Sequence, residues 1–184
     1  MATYWLRFPL VGDKVMRNGM VAYRNGWSME ATGRQDRIER EVVYPVSQDH
    51  LWAVLTEPKH LNGWFTDKGT DIDLRIGGQI EFHFSYETCR AIVVGLDPIT
   101  YLAWRWRPGS GEDPARPLED QGPLTLVEFT LTAVPDGTHL RVVESGFAAL
   151  TSERFAIAFG ENSGGWDDCL RSIGEWLQSG GAAA

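Results

Sequence analysis

Residues 163–178 read SGGWDDCLRSIGEWLQ, and the apolar residues in this stretch recur at helical spacing. The apolar positions are Trp166, Cys169, Leu170, Ile173, Trp176 and Leu177. Spacings of three and four residues place them on one face of an α-helix, and that face needs an apolar surface to cover. Upstream, several short runs of strand-like sequence end at Gly or Pro. The pattern predicts a helix laid across a curved antiparallel sheet, with a pocket between the two.

Length and charge limit the classes of partner. The chain has 184 residues, which suits one domain with an additional arm. Its net charge of −8 argues against nucleic acid or an anionic membrane, because phosphates are bound by clustered Lys and Arg. No apolar run approaches the ~20 residues that cross a bilayer, and Arg7, Asp13 and Lys14 interrupt the N-terminus. We therefore expect a cytoplasmic protein, with Cys89 and Cys169 as buried thiols.

The first 35 residues differ from the rest, because glycines interrupt them repeatedly and their apolar residues show no sustained helical or strand spacing. They are predicted to be a weakly ordered extension, or alternatively an extra strand or hairpin on a sheet edge. Met1 and Met29 are both candidate start sites. Residues 36–178 are expected to form the domain, and residues 179–184 a tail.

Within the domain, the pattern predicts short strands, two short helices after the first strand, and helical segments at the end. Strands are expected at 38–44, 71–75, 79–86, 89–96, 101–107, 124–134 and 139–145. Helices are expected near 50–55, from 58 through 61 to a close at 64–65, and at 152–159 and 163–178. Ser47 is expected to cap the first helix and Pro58 to begin the second. The pair Gly164-Gly165 lies between the last two helical pieces or kinks them. Residues 108–123 are rich in Gly, Pro and acidic residues and read as a loop.

Most catalytic and cofactor motifs are missing from the sequence. His50, His60, His83 and His139 have no close ligand spacing, so no metal site is predicted. Neither a nucleophile elbow nor a phosphate loop occurs, and no cofactor is expected. Gly164-Gly165 could open a helix N-terminus that holds an anion, although a simple helix break is the favoured interpretation.

An aromatic set is the main candidate for ligand binding. Its members are Trp64, Phe82, Phe84, Trp104, Trp106, Phe129 and Trp166. Apolar pockets with a few placed polar groups are typical of small-molecule sites, whereas the alternative is that these residues are ordinary core.

Glu144 is the candidate polar residue. By alternation from Leu140 and Val142 it points to the apolar face, unless the strand contains a bulge. An unpaired buried carboxylate is costly, so it needs a partner. That partner is structural, such as a backbone donor or an Arg, or it is a ligand group or a reacting proton.

Several short motifs occur in the order of a known family. They are Trp52 to Thr56, Trp64-Phe65, Gly77-Gly78, Asp97-Pro98, Trp104, Gly137-Thr138, Glu144-Ser145-Gly146-Phe147, and Gly165-Trp166 followed by Leu170. Over about residues 36–178 the chain resembles the bacterial proteins related to the activator of the heat-shock protein 90 ATPase, within the START-like (SRPBCC) superfamily. The resemblance implies an α+β helix-grip fold, in which a curved antiparallel sheet wraps around a long C-terminal helix and leaves a cavity.

These observations favour a protein, monomeric or homodimeric, that binds a small hydrophobic or aromatic molecule. The aromatic set would hold the ligand, Glu144 would orient it, and residues 108–123 would act as a flap. One alternative is a chaperone-interaction module with a role in the stress response. Another is a cyclase- or hydrolase-like enzyme in which Glu144 is the acid or base.

Overall fold

The computed structural model describes residues 35–180, together with the backbone of three short strands before them. The chain divides into two units, Met1–Arg34 and Gln35–Ala184. In the first unit, β1 (Val15–Arg17), β2 (Met20–Tyr23) and β3 (Gly26–Ser28) pair antiparallel in that order. The predicted weak order of the other N-terminal residues, the choice between Met1 and Met29, and most of the tail lie outside the described residues.

The second unit has a helix-grip architecture. Its elements are β4 (Arg37–Tyr44), α1 (Gln48–Thr56), α2 (Pro58–Trp64), β5 (Gly69–Ile72), β6 (Gln79–His83), β7 (Thr88–Asp97), β8 (Tyr101–Trp106), β9 (Thr125–Val134), β10 (Gly137–Ser145) and α3 (Ser152–Gln178). In residues 35–180 the seven strands form one curved antiparallel sheet in the order β4-β10-β9-β8-β7-β6-β5. The predicted α+β class and helix-grip fold are confirmed.

Most predicted elements are present, with shifted ends. The strand expected at 71–75 lies at Gly69–Ile72, and the strand expected at 79–86 ends at His83. Pairing sets these limits, because Gly69 lies opposite His83 and Ile72 opposite Ile80. A residue without a partner strand does not continue the ladder, whatever its own alternation suggests.

The first two helices begin where the sequence predicted. The Ser47 hydroxyl accepts a hydrogen bond from the His50 backbone N–H at 3.3 Å, which is an N-cap. Pro58 occupies the first turn of α2, where its missing N–H costs nothing. Both helices connect β4 to β5, at opposite edges of the sheet. They therefore cross one end of the sheet and help to close the core.

Two predictions about the C-terminal helices are wrong. The expected pieces at 152–159 and 163–178 are one helix, α3, of 27 residues. Gly164 and Gly165 lie inside it, so they do not open a helix N-terminus and offer no anion site there. Each helical Gly costs up to about 1 kcal/mol relative to Ala. Packing of an amphipathic face outweighs that propensity, because tertiary contacts supply most helical stability in proteins.

The buried face of α3 holds it against the sheet. Ala158, Trp166 and Ile173 are buried and lie about two helical turns apart. The Tyr44 hydroxyl donates a hydrogen bond to the Leu170 carbonyl oxygen at 2.7 Å, which ties β4 to the helix. No helix in the described part of the chain is both long and apolar enough to span a membrane.

Candidate functional site

A cavity of about 370 Å³ lies between α3 and one end of the sheet. Its walls come from α3, the β6–β7 connection, the end of β8 and the loop that follows β8. The lining residues are Phe65, Phe84, Tyr86, Glu87, Cys89, Trp106, Arg107, Gly109, Ser110, Glu161, Asn162, Gly165, Trp166 and Cys169. A volume of this size lies within the usual range for small-molecule pockets.

Aromatic rings form much of the wall. The rings of Trp106 and Trp166 lie 5.8 Å apart between centroids and are inclined by 34°. Phe65 meets Phe84 edge to face at 5.6 Å, and Phe84 stacks on Tyr86 at 5.5 Å. Such edge-to-face and offset contacts are favourable, and they hold the rings in defined positions along the wall.

Glu144 lies directly behind this wall and is completely buried. Its Oε1 accepts hydrogen bonds from the Trp106 indole at 2.8 Å, the Thr125 hydroxyl at 2.6 Å and the Asn162 amide at 2.8 Å. Its Oε2 accepts from the Trp166 indole at 2.7 Å and from Asn162 at 3.0 Å. The carboxylate therefore receives donors from β8, β9 and α3.

These contacts identify the structural partners that a buried Glu144 requires. The alternation that placed its side chain on the apolar face is correct, since β10 buries Thr138, Leu140, Val142 and Glu144 on one side. A structural partner was one of the two alternatives; the partners found are side chains other than the two examples given there, a backbone donor and an Arg. Indole, amide and hydroxyl groups supply all five hydrogen bonds, and the anionic form can accept every one of them.

The start of the 108–123 loop is held at the cavity mouth by hydrogen bonds. The Gly109 N–H donates to Asn162 Oδ1 at 3.2 Å, and the Ser110 N–H donates to Glu161 Oε2 at 3.2 Å. Arg154 donates to the Pro108 carbonyl oxygen at 2.6 Å. Three residues of α3 thus hold the loop, and one of them, Asn162, also binds the Glu144 carboxylate.

The middle of the same loop is attached to the sheet through Arg90. This β7 residue forms an ion pair with Glu112, and its backbone N–H donates to Glu112 Oε2 at 2.9 Å. The Arg90 guanidinium also donates to the carbonyl oxygens of Asp113 at 3.0 Å and Arg116 at 2.7 Å. The middle of the loop therefore has defined attachments to β7.

Ionisable groups at the cavity have shifted pKa values. Burial raises the pKa of the Cys89 thiol to about 12, and burial likewise raises the pKa of Cys169 to about 12. Both thiols are free and stay protonated at neutral pH, so neither is an activated nucleophile. Burial and the neighbouring Arg154 lower the pKa of the Arg107 guanidinium.

The sequence profile of the family described as "Activator of Hsp90 ATPase homolog 1-like protein" matches residues 45–178. The chain belongs to this family. No curated protein matches it at a significant level. The family match agrees with the START-like resemblance of the sequence.

Solved structures similar to this family member share its fold. Protein MLL2253 from Mesorhizobium loti is 24% identical with a TM-score of 0.63, and the match covers 78% of this chain and 97% of that one. DynU16, from the dynemicin biosynthetic locus, is 22% identical with a TM-score of 0.63 over 80% of this chain and 49% of its own. The Aha1 dimer from Colwellia psychrerythraea is 22% identical with a TM-score of 0.58, and the match covers 77% of this chain and 95% of that one.

The structure brings only some of the proposed ligand-binding residues of this family member to the cavity. Phe84, Trp106 and Trp166 line it. The other aromatic residues of the set, Trp64, Phe82, Trp104 and Phe129, are buried core side chains that are not among the lining residues. Trp64 has a structural role, since its indole donates to the Val54 carbonyl oxygen at 2.9 Å.

Of the α3 residues that line the cavity, Trp166 was predicted, whereas Asn162, Gly165 and Cys169 were not, because the helix was divided at its glycines. Asn162, Gly165, Trp166 and Cys169 follow one another at spacings of three, one and three residues, which places them on one helical face. A continuous helix would have brought Asn162 beside Trp166. Glu161 also lines the cavity, and no local signal distinguishes it from a solvated helix residue.

One group of potential metal ligands lies away from the cavity. Asp71, Glu81 and His83 offer ligand atoms within 4.8 Å of one another. His83 Nε2 lies 2.9 Å from Asp71 Oδ2 and 3.9 Å from Glu81 Oε2, so the group is internally paired. His83 lies on the face of β6 opposite the buried Phe82.

Proposed function

We propose that this protein binds a small hydrophobic or aromatic molecule in the cavity between α3 and the sheet. The observation that carries the proposal is the cavity itself, whose wall contains five aromatic side chains and two protonated thiols. An apolar molecule that enters this space leaves water at a gain of about 25 cal/mol per Å² of buried surface. Polar groups at the mouth, Glu87, Arg107 and Ser110, allow one end of the ligand to stay hydrated.

The 108–123 loop supports this function as a cover. Its first residues lie at the mouth, and Glu161, Asn162 and Glu87 hold them through backbone hydrogen bonds. Ligand entry requires some of these bonds to open, and each is a neutral or charge-assisted contact of modest net strength. The loop can therefore open and close while the rest of the domain stays folded.

Gly165 provides a direct test. A Cβ built on Gly165 or on Gly164 meets no atom within 4 Å, so both positions accept a side chain. Gly165 lines the cavity, whereas Gly164 is exposed. Gly165→Leu should occupy the cavity and reduce ligand affinity at least about 10-fold, while Gly164→Leu should bind normally. Both variants should be more stable than the parent, because Leu is the better helix former.

Binding is measured by native mass spectrometry of the protein purified without refolding, and by tryptophan fluorescence against a panel of aromatic metabolites and lipids. A co-purifying apolar molecule that is present in the parent and in Gly164→Leu but absent from Gly165→Leu supports the proposal. Equal binding by the two variants, or no binding by the parent across the panel, contradicts it.

A chaperone-interaction role is a second candidate, and the family match favours it. The structure of the Aha1 dimer from Colwellia psychrerythraea supports the same comparison. Such a role would use the outer sheet face and exposed loops rather than the cavity. Pull-down with the heat-shock chaperone of the same cell would then succeed equally with Gly165→Leu and Gly164→Leu.

An enzymatic role for Glu144 is less well supported. Both carboxylate oxygens accept hydrogen bonds from protein donors, and Trp106, Asn162 and Trp166 lie between the carboxylate and the cavity. A general acid or base must reach the substrate proton directly or through one water. The arrangement favours a fixed charge over a proton-transfer group.

A further inference from the structure

The buried charge of Glu144 has no cationic partner in residues 35–180. Its donors there are neutral, and no Lys, Arg or His forms an ion pair with it. A buried anion that is stabilised only by neutral dipoles still produces a negative potential around it, because the low dielectric of the interior screens it weakly. The inner end of the cavity lies within this potential.

The charges at the mouth are mixed, unlike those at the inner end. Glu87 and Glu161 hold backbone N–H groups of the loop, whereas Arg107 and Arg154 donate to the loop carbonyl oxygens. Two carboxylates and two guanidinium groups approximately cancel. Glu144 adds a negative charge without a cationic partner behind Trp106 and Trp166, and this charge favours a positive group next to these two side chains.

The wall between Glu144 and the cavity is itself suited to a cation. Trp106 and Trp166 both direct their indole N–H groups at the carboxylate and contribute to the cavity lining. Indole faces attract cations within about 6 Å of the ring centroid, and Trp is the best of the aromatic residues for this contact. Hydrogen bonding of both N–H groups to an anion polarises the rings in the direction that strengthens the attraction.

We infer that the cavity selects an organic cation, an amine or quaternary ammonium group on a small apolar body, with the positive group against Trp106 and Trp166. This inference rests on the proposed function and adds the charge of the ligand to it. The aromatic surface supplies the contact, and Glu144 supplies the counter-charge through the indole wall. A hydrophobic body then fills the space next to Phe65 and Phe84.

Three probes of matched shape test the charge. Phenyltrimethylammonium, tert-butylbenzene and benzenesulfonate carry a positive, zero and negative charge on nearly the same volume. We expect the cation to bind about 10-fold more tightly than the neutral probe, and the anion most weakly. Tryptophan fluorescence and isothermal titration calorimetry measure the three affinities.

The outcomes separate the two proposals. Tightest binding of the cation supports the inference. Equal or tighter binding of the neutral or anionic probe overturns it and leaves the aromatic pocket in place. Failure of all three probes to bind contradicts both the inference and the proposed function.

A pair of variants locates the source of the preference. Glu144→Gln removes the buried charge, so the affinity ratio of cation to neutral probe should fall close to one. Glu81→Gln removes the same net charge from the outer sheet face, and the ratio should stay at the parent value. An unchanged ratio in a folded Glu144→Gln variant overturns the assignment. Where that variant does not fold, the probe series on the parent protein decides.

Discussion

Replacement of Glu144 by Gln should destabilise the fold strongly. The carboxylate accepts three hydrogen bonds at Oε1 and two at Oε2. Gln keeps one acceptor oxygen, which fits best at the Oε1 position, where three donors meet. Its amide N–H₂ then takes the Oε2 position and faces the donors Asn162 and Trp166. Two charge-assisted hydrogen bonds are lost, each worth about 1.5–3 kcal/mol.

The net loss is smaller than that sum, because the neutral side chain no longer carries the desolvation cost of a buried charge. We expect the free energy of unfolding to fall by about 2–4 kcal/mol, a large part of the stability of a typical domain. Urea unfolding followed by tryptophan fluorescence measures the change.

Glu128→Gln is the matched control. Glu128 lies on β9, is only partly buried, and accepts one hydrogen bond from the Tyr101 hydroxyl at 2.7 Å. Its replacement keeps an acceptor oxygen and should cost less than about 1 kcal/mol. If both variants lose the same small amount, the carboxylate network around Glu144 does not contribute as the geometry indicates.

Two further predictions concern pH and ligand exchange. Burial lowers the pKa of His60, whose Nδ1 lies 3.3 Å from the Trp176 indole nitrogen. Below about pH 6.5 the unfolded chain binds a proton that folded His60 resists, so the free energy of unfolding falls as pH decreases. His60→Gln should reduce this slope in urea unfolding at several pH values, and equal slopes would contradict it. Arg154→Ala removes a donor to the Pro108 carbonyl oxygen, so ligand dissociation in stopped-flow fluorescence should accelerate about 5-fold; an unchanged rate would exclude a cover function for residues 108–123.

The direction of side chains was predictable from sequence, because alternation along a strand depends on nearest neighbours alone. Leu140, Val142 and Glu144 all point inward as expected. The partners of Glu144 were not predictable, since Trp106 lies 38 residues before it and Asn162 lies 18 residues after it. Such contacts depend on strand order and on the position of α3, neither of which leaves a local signal.

The sequence also did not show which residues of a strand lie in the core and which line the cavity. Trp104 and Trp106 share one face of β8, yet Trp104 is core and Trp106 lines the cavity. Their difference is set by where the sheet end meets the loop and α3. A period-two pattern gives the face of a residue but not its distance from the end of the layer.

The division of α3 into two predicted helices has a related cause. Gly164 and Gly165 have low helix propensity, and the sequence offered no measure of the packing on either side of them. Buried Ala158 and Ile173 lie before and after these glycines on the same helix. Contacts on both sides bridge the weak segment, so the helix continues.

The pairing of β4 with β10 has a consequence for how the chain is made. Arg37 lies opposite Ser145, so the first strand of the sheet hydrogen-bonds to the last one. During synthesis, β4 leaves the ribosome more than a hundred residues before its partner is available. Contacts between residues so far apart in sequence slow folding. Until β10 emerges, both edges of β4 are unpaired, and this interval is when the nascent chain is most open to aggregation.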